Sequence, residues 1–271
     1  MVTFLFISLF SFYAGSFFVY LMMGWDRPLK GPKADLLFEI GFLIHTFLIF
    51  AEAKEEHIYL PITTIKEVLV FFSWSLAFVY VFLMRRVRHE MFGLVLLPFL
   101  LIFLSAAWFM TSGKAIPPDY FNNHYFLIHI LSACFGYASF AISFAGASLY
   151  LAQSHALKSK QVGNFYRKLP PLKDLEGFIF YSVVWGIFLL GIAIVSGGFW
   201  SKSTFDTFFV WEPKTISSVL TWIIYVFVFY LHHSSLIGER RSVKFVLFAF
   251  AFVLFTFLGT SFMKTKLHVG I

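Results

Sequence analysis

The chain has 271 residues, of which 59% are hydrophobic and only 13% charged, with a formal net charge of +7. So little charge cannot clothe a soluble globule of this size, and the composition points to a polytopic membrane protein. The lysines and arginines fall in short clusters between apolar runs, as membrane topology requires, which excludes a nucleic-acid-binding surface.

Spanning a bilayer takes about twenty largely apolar residues, and eight such runs are predicted near 2–23, 36–53, 64–84, 91–110, 124–153, 177–199, 215–236 and 245–263. The expected fold is therefore all-α and polytopic, eight transmembrane helices forming a single domain over residues 1–271. The first run, Val2 to Met23, carries no basic leader and no small-residue cleavage site, so it is expected to be a retained span. The fifth is long enough to tilt or to protrude.

Orientation follows from the basic residues, which are retained on the cytoplasmic side. Arg27, Lys30, Lys33, Arg85, Arg86, Arg88, Lys158, Lys160, Arg167, Lys168, Lys173, Arg240, Arg241 and Lys244 all fall in the first, third, fifth and seventh connections, fourteen of the 21 lysines and arginines. Both termini are then expected outside, in a multi-pass protein of the plasma or inner membrane. Lys66 and Glu67 open the third span on that outer face and are expected to form a solvated rim.

The connection between spans six and seven faces the same side. Residues 197–222 read GGFWSKSTFDTFFVWEPKTISSVLTW and are predicted to form an external loop. Trp200, Phe205, Phe208, Phe209 and Trp211 stand where no lipid requires them, followed by Glu212, Lys214 and Trp222. Such a surface suits a flat aromatic ligand.

One cysteine, Cys134, lies in an apolar run, so the chain holds no disulfide framework, no CxxC pair and no haem-attachment CxxCH. The histidines are more informative. His57, His89 and His155 fall in polar connections and are expected to be solvated. His129 begins the fifth span and His268 follows the eighth, both on the side of the aromatic segment. Two imidazoles flanking an aromatic platform are what bis-histidine ligation of a haem iron needs.

His45 lies roughly 14 Å from the inner end of the second span, and His232 on the order of 10 Å from the same face, taking 1.5 Å per residue. A second imidazole pair could meet there, since ionisable residues within spans are more often functional than those of soluble cores. His124 competes with His129, and His233 with His232. A lone intramembrane histidine can equally hydrogen-bond a neighbouring helix, and Glu39 can equally be an interfacial acid.

These residues resemble the cytochrome c assembly family, the haem-handling proteins with a tryptophan-rich WWD signature, and within it the CcsA type. FWSKSTFDTFFVWEPKTISSVLTW aligns to the signature without a gap. Trp200, Phe208, Trp211, Pro213 and Lys214 match or nearly match, Phe205 and Phe209 replace tryptophans, Glu212 replaces an aspartate, Asp206 a glycine and Thr215 a glutamate. GFLIHTFLIF, LPPLKDLEGFIFYS, YLHH and KLHVGI extend the likeness over most of the chain.

The resemblance implies that His129 and His268 are external ligands of haem b, that the stretch from Trp200 to Trp222 holds the ring, and that His232 is an internal ligand with His45 or a partner residue beside it. It implies haem delivery to apocytochrome c as a subunit of a cytochrome c synthase of the system II kind, together with a CcsB-like membrane partner that brings a large external domain. Lys214 and Lys202 are candidates to meet a propionate. The chain supplies no thiol nucleophile, so its part in attachment would be to position haem and keep it reduced. Two other readings stand beside this one: a HemX-like membrane regulator of haem synthesis, and a transporter whose histidines relay protons.

Overall fold

In a computed structural model of the chain, residues 1–24, 31–55, 60–84, 92–110, 120–121, 123–160, 169–234 and 236–256 are described. They form helices α1 (Val2–Gly24), α2 (Gly31–Glu55), α3 (Ile65–Met84), α4 (Phe92–Phe109), α5 (His124–Lys158), α6 (Leu172–Phe205), α7 (Pro213–His233) and α8 (Glu239–Leu254). No strand occurs among the described residues. The all-helical expectation holds, because backbone polar groups in lipid must be satisfied within each segment.

Seven of these helices, α1 to α7, are long and apolar enough to cross a membrane. The eighth predicted span differs. It begins at Glu239 instead of 245 and runs helical for 16 residues to Leu254, after which residues 257–271, including part of the predicted run and His268, lie outside the described residues.

The centre of the molecule is the pair α5 and α6, of 35 and 34 residues. At 1.5 Å per residue each is roughly 50 Å long, against about 30 Å of bilayer hydrocarbon. The sequence predicted only residues 177–199 as the sixth span. The helix extends further at both ends because its partner is equally long: Leu175, Phe178 and Ile179 near its start, and Trp200 and Ser201 near its end, are all buried. Tertiary packing thus sustains helix where hydropathy alone fades.

Around this pair, α3, α4 and α8 pack on α5, and α7 packs on α6 and α8, while α1 pairs with α2 and also meets α4. Aromatic contacts join the layers. Phe99, Phe144 and Phe250 of α4, α5 and α8 meet at centroid distances of 4.4 to 5.9 Å, and Phe140 of α5 stacks on Tyr225 of α7 at 3.6 Å. Side-chain hydrogen bonds supplement them where small polar groups allow close approach. Ser16 of α1 donates to the Ala34 carbonyl of α2 across 2.8 Å, Tyr20 donates to Asp35, and Trp74 of α3 donates to Thr46 of α2 across 2.9 Å.

Candidate functional site

The aromatic segment is less of a loop than its sequence predicts. Residues 197–205 finish α6 and residues 213–222 begin α7, so only 206–212 connect them. Trp200 and Phe205 ride on α6, Lys214 and Trp222 on α7, and Phe208, Phe209, Trp211 and Glu212 on the connection.

That connection is tied down by local chemistry. Asp206 ends α6 in the left-handed conformation, φ 59°, which short polar side chains tolerate better than most. The Lys202 ammonium spans the turn, donating to the Asp206 carbonyl at 2.9 Å and its carboxylate at 2.6 Å, and Ser201 donates to the Thr207 carbonyl at 2.6 Å. Pro213 opens α7 at the first helical position, where its missing N–H has no cost. Glu212, 6% exposed, is the residue before it.

The start of α5 is fixed to the same place. Asn123 caps α5 by accepting from the Tyr125 N–H at 2.9 Å, and its amide donates to Ser203 of α6 at 2.9 Å. Tyr125 stacks on Phe199, and Phe126 packs on Trp200 at 4.9 Å. The beginning of α5, the end of α6 and the beginning of α7 therefore form one end of the bundle.

At this end lies a cleft of about 130 Å³. His129, Ala133 and Tyr137 of α5 line one wall, Gly197, Gly198 and Trp200 of α6 are on a second, and Phe208, Phe209, Lys214 and Ser218 are on a third. The Tyr137 and Ser218 hydroxyls meet at 3.1 Å. The Trp200 ring is 3% exposed, lies nearly parallel to His129 at a centroid distance of 6.4 Å, and keeps an enclosed Nε1–H with no hydrogen-bond partner among the described residues.

His129 is held in a defined state. Its Nδ1 sits 2.7 Å from the Ala193 carbonyl. A carbonyl only accepts, so Nδ1 carries a proton, and in the neutral ring Nε2 then keeps its lone pair. Metal-binding histidines are typically oriented by just such a bond from the other ring nitrogen. The ring reaches α6 because Gly197 has no side chain: a Cβ there would stand 2.6 Å from His129 Nδ1. A Cβ on Gly198 would likewise stand 2.5 Å from the Phe208 ring. These two glycines escaped the sequence reading, although a glycine pair about two turns before the end of a long helix signals close approach.

The remaining candidates sit elsewhere. Trp222 is below the cleft, donating to the Ile187 carbonyl of α6 at 2.9 Å, and so braces α6 against α7. Phe205 stands edge-on to Trp200 at 6.0 Å. Trp211 is 81% exposed and meets Phe209 edge-on at 4.9 Å. Lys202 is engaged by Asp206, whereas Lys214 makes no ion pair within 4 Å among the described residues.

His45 and His232, expected to face each other, make no contact with each other among the described residues. His45 is fully buried between α1 and α3, with Nε2 3.2 Å from the Val70 carbonyl and Nδ1 3.4 Å from the Tyr13 hydroxyl. Nε2 must donate to that carbonyl and Nδ1 then accepts, which engages both nitrogens. His232, at the far end of α7, lies 3.5 Å from the Glu176 carboxylate and stacks on Phe180 of α6 at 3.4 Å. Glu176 was not singled out from the sequence, since nothing in its spacing ties it to a residue so far along the chain.

Comparison with known proteins bears on this arrangement directly. The family model described as cytochrome C assembly protein matches residues 62–268. The chain belongs to that family. It is similar to the cytochrome c biogenesis protein CcsA of Guillardia theta, 26% identical over 232 residues covering 78% of this chain and 76% of that protein. The CcsA of Prochlorococcus marinus strain MIT 9215 is 22% identical over 84% of this chain and 81% of its own length. The protein HemX of Brevibacillus brevis is 29% identical over 74% of each. Within the cytochrome c assembly family, the chain is thus of the CcsA type, with the matched region containing every helix from α3 onward and both ends of α7.

Proposed function

We propose that the chain handles haem for cytochrome c maturation, holding it at the cleft between α5, α6 and α7 for attachment to an apocytochrome. The observation that carries this reading is the His129 imidazole, its Nδ1 proton committed to Ala193 and its Nε2 lone pair free beside an aromatic cleft. Membership of the cytochrome c assembly family supports the same chemistry.

The residues suit such a guest. At about 130 Å³ the cleft is smaller than the roughly 300–1,000 Å³ that enclosed ligand sites offer. A porphyrin would rest on its open side, with Phe208 and Phe209, 49% and 39% exposed, against the ring face. Each aromatic contact contributes about 0.5–1.5 kcal/mol beyond burial, so the histidine must do the anchoring. Among the described residues, Lys214, which makes no ion pair, and the unsatisfied Trp200 Nε1–H are donors at the cleft that a propionate could meet. His268 is the proposed second ligand on this face.

Haem would supply vinyl groups to the thiols of the apocytochrome. This chain's residues orient the ring and exclude water from one of its faces, and the thiols come from the apocytochrome. On the opposite face His232, oriented by Glu176, is the proposed inner ligand. His45 could join it only by giving up its bonds to Val70 and Tyr13, which favours a residue of a CcsB-like partner as the second inner ligand. The positive-inside distribution of Lys and Arg supports placing the cleft on the periplasmic or outer side of the plasma or inner membrane.

A b-type haem spectrum of the purified chain with its partner, lost on His129→Ala and on His268→Ala, is the expected result. Unchanged spectra in both variants overturn the reading. A HemX-like regulatory role is the second possibility, favoured by the likeness to the Brevibacillus protein. It is distinguished by intact c-type cytochrome assembly and altered tetrapyrrole synthesis when the chain is deleted.

A further inference from the structure

We propose that the basic cleft between the end of α5 and the start of α8, opposite the aromatic end, binds the phosphate headgroup of an anionic membrane lipid. The cleft encloses about 740 Å³ and is lined by Tyr150, Ser154 and Lys158 of α5 and by Arg240, Arg241 and Lys244 of α8, with Glu239 its one acid. Four cations from two helices face one carboxylate.

Arg240 supplies a second, separate sign. Its Nε is enclosed and has no hydrogen-bond partner among the described residues. An enclosed donor of a cationic group that bonds to nothing is costly, and an anion in the cleft is the group that removes the cost. Gly238 caps α8 without a side chain, and its carbonyl takes the Arg241 and Ser242 N–H groups, so what this terminus adds for an anion is the positive end of the helix dipole. The Tyr150 and Ser154 side chains line the same cleft.

The surroundings select a lipid over a free phosphate. The cleft opens at the end of a membrane-length helix, and Leu157, Leu236 and Phe245 beside it are 48%, 65% and 41% exposed. Cations at the headgroup level with apolar side chains alongside match a phosphodiester followed by acyl chains. This proposal is independent of the haem reading.

The test uses the full chain in nanodiscs of equal phosphatidylcholine and phosphatidylglycerol, with retained lipids counted by native mass spectrometry. Phosphatidylglycerol is expected to be enriched several-fold, and the triple variant Lys158→Gln, Arg241→Gln, Lys244→Gln to fall to parity. All three side chains are exposed, so folding is retained, and an unchanged thermal melt verifies it. Lys173→Gln, an exposed cation outside the cleft, is expected to keep the enrichment. Equal enrichment in the triple variant, or an equal loss in Lys173→Gln, overturns the proposal. So does displacement of the lipid by millimolar inorganic phosphate, which would mark a soluble-anion site.

Discussion

The imidazole of His129 and the backbone of Gly197 touch directly: a single added methyl group on the glycine would stand 2.6 Å from Nδ1. The bond from Nδ1 to the Ala193 carbonyl, one helical turn earlier on α6, depends on that closeness. Gly197→Ala is therefore expected to push the ring off its acceptor. Haem retained on purification should fall nearly as far as in His129→Ala, while thermal stability drops by about 1–3 kcal/mol, the usual cost of overpacking. Full haem content in Gly197→Ala would show that the contact has no bearing on binding.

Trp211 offers the opposite case. Being 81% exposed, it contributes little to folding, and Trp211→Ala should change stability by no more than about 0.5 kcal/mol. Cytochrome c assembly in a reporter strain should nevertheless decline. Wild-type assembly in this variant would remove Trp211 from the working surface.

Asn123 both caps α5 and holds Ser203 of α6. Its replacement by alanine should lower stability by about 1 kcal/mol, typical of a lost N-cap. Ser203→Ala, which keeps the cap and loses the inter-helix bond together with the Ser203 bond to the Trp200 carbonyl of its own helix, should cost less. The ranking is read from thermal unfolding in one detergent, and a reversed order would place the energy in the Ser203 bond to the Trp200 carbonyl instead of the cap.

The turn at Asp206 is open to a paired test. A left-handed residue without a short polar side chain is strained by roughly 1–2 kcal/mol, so Asp206→Ala should destabilise the connection, and more than Asp206→Gly does. Hydrogen exchange across 206–212 reports it, and equal protection in both variants would mean the backbone angle is not the determinant.

Glu176 faces His232 at 3.5 Å. Glu176→Gln keeps the shape and removes the charge, so any haem bound on that face should show a shifted reduction potential with unchanged protein yield. An identical potential would leave Glu176 as packing only.

Much of this was legible in the amino-acid order, for a physical reason. Hydropathy marks lipid-facing runs well, so α1 to α4 begin and end within a few residues of the predicted spans. It fails where helices leave the hydrocarbon, because the signal that carries α6 on to Phe205 is its packing on α5. The same limit turned residues 197–222 into a predicted loop. His129, Phe208, Phe209 and Lys214 were found because their chemistry is unusual in their setting. Gly197, Gly198 and Ser218 were not, since a glycine or serine in a membrane helix is ordinary until its neighbour is known. His45 shows the converse: depth along a helix says nothing of azimuth, and its two nitrogens are satisfied by Tyr13 and Val70.

The length of the α5–α6 pair has a last implication. Some 20 Å of each helix exceeds the hydrocarbon thickness, and whatever part of that surplus falls at the aromatic end lifts Trp211 and its neighbours clear of the acyl chains. A water-soluble client could then present its thiols at that height without ever dipping into lipid, and the membrane would serve as the footing for the reaction, not its solvent.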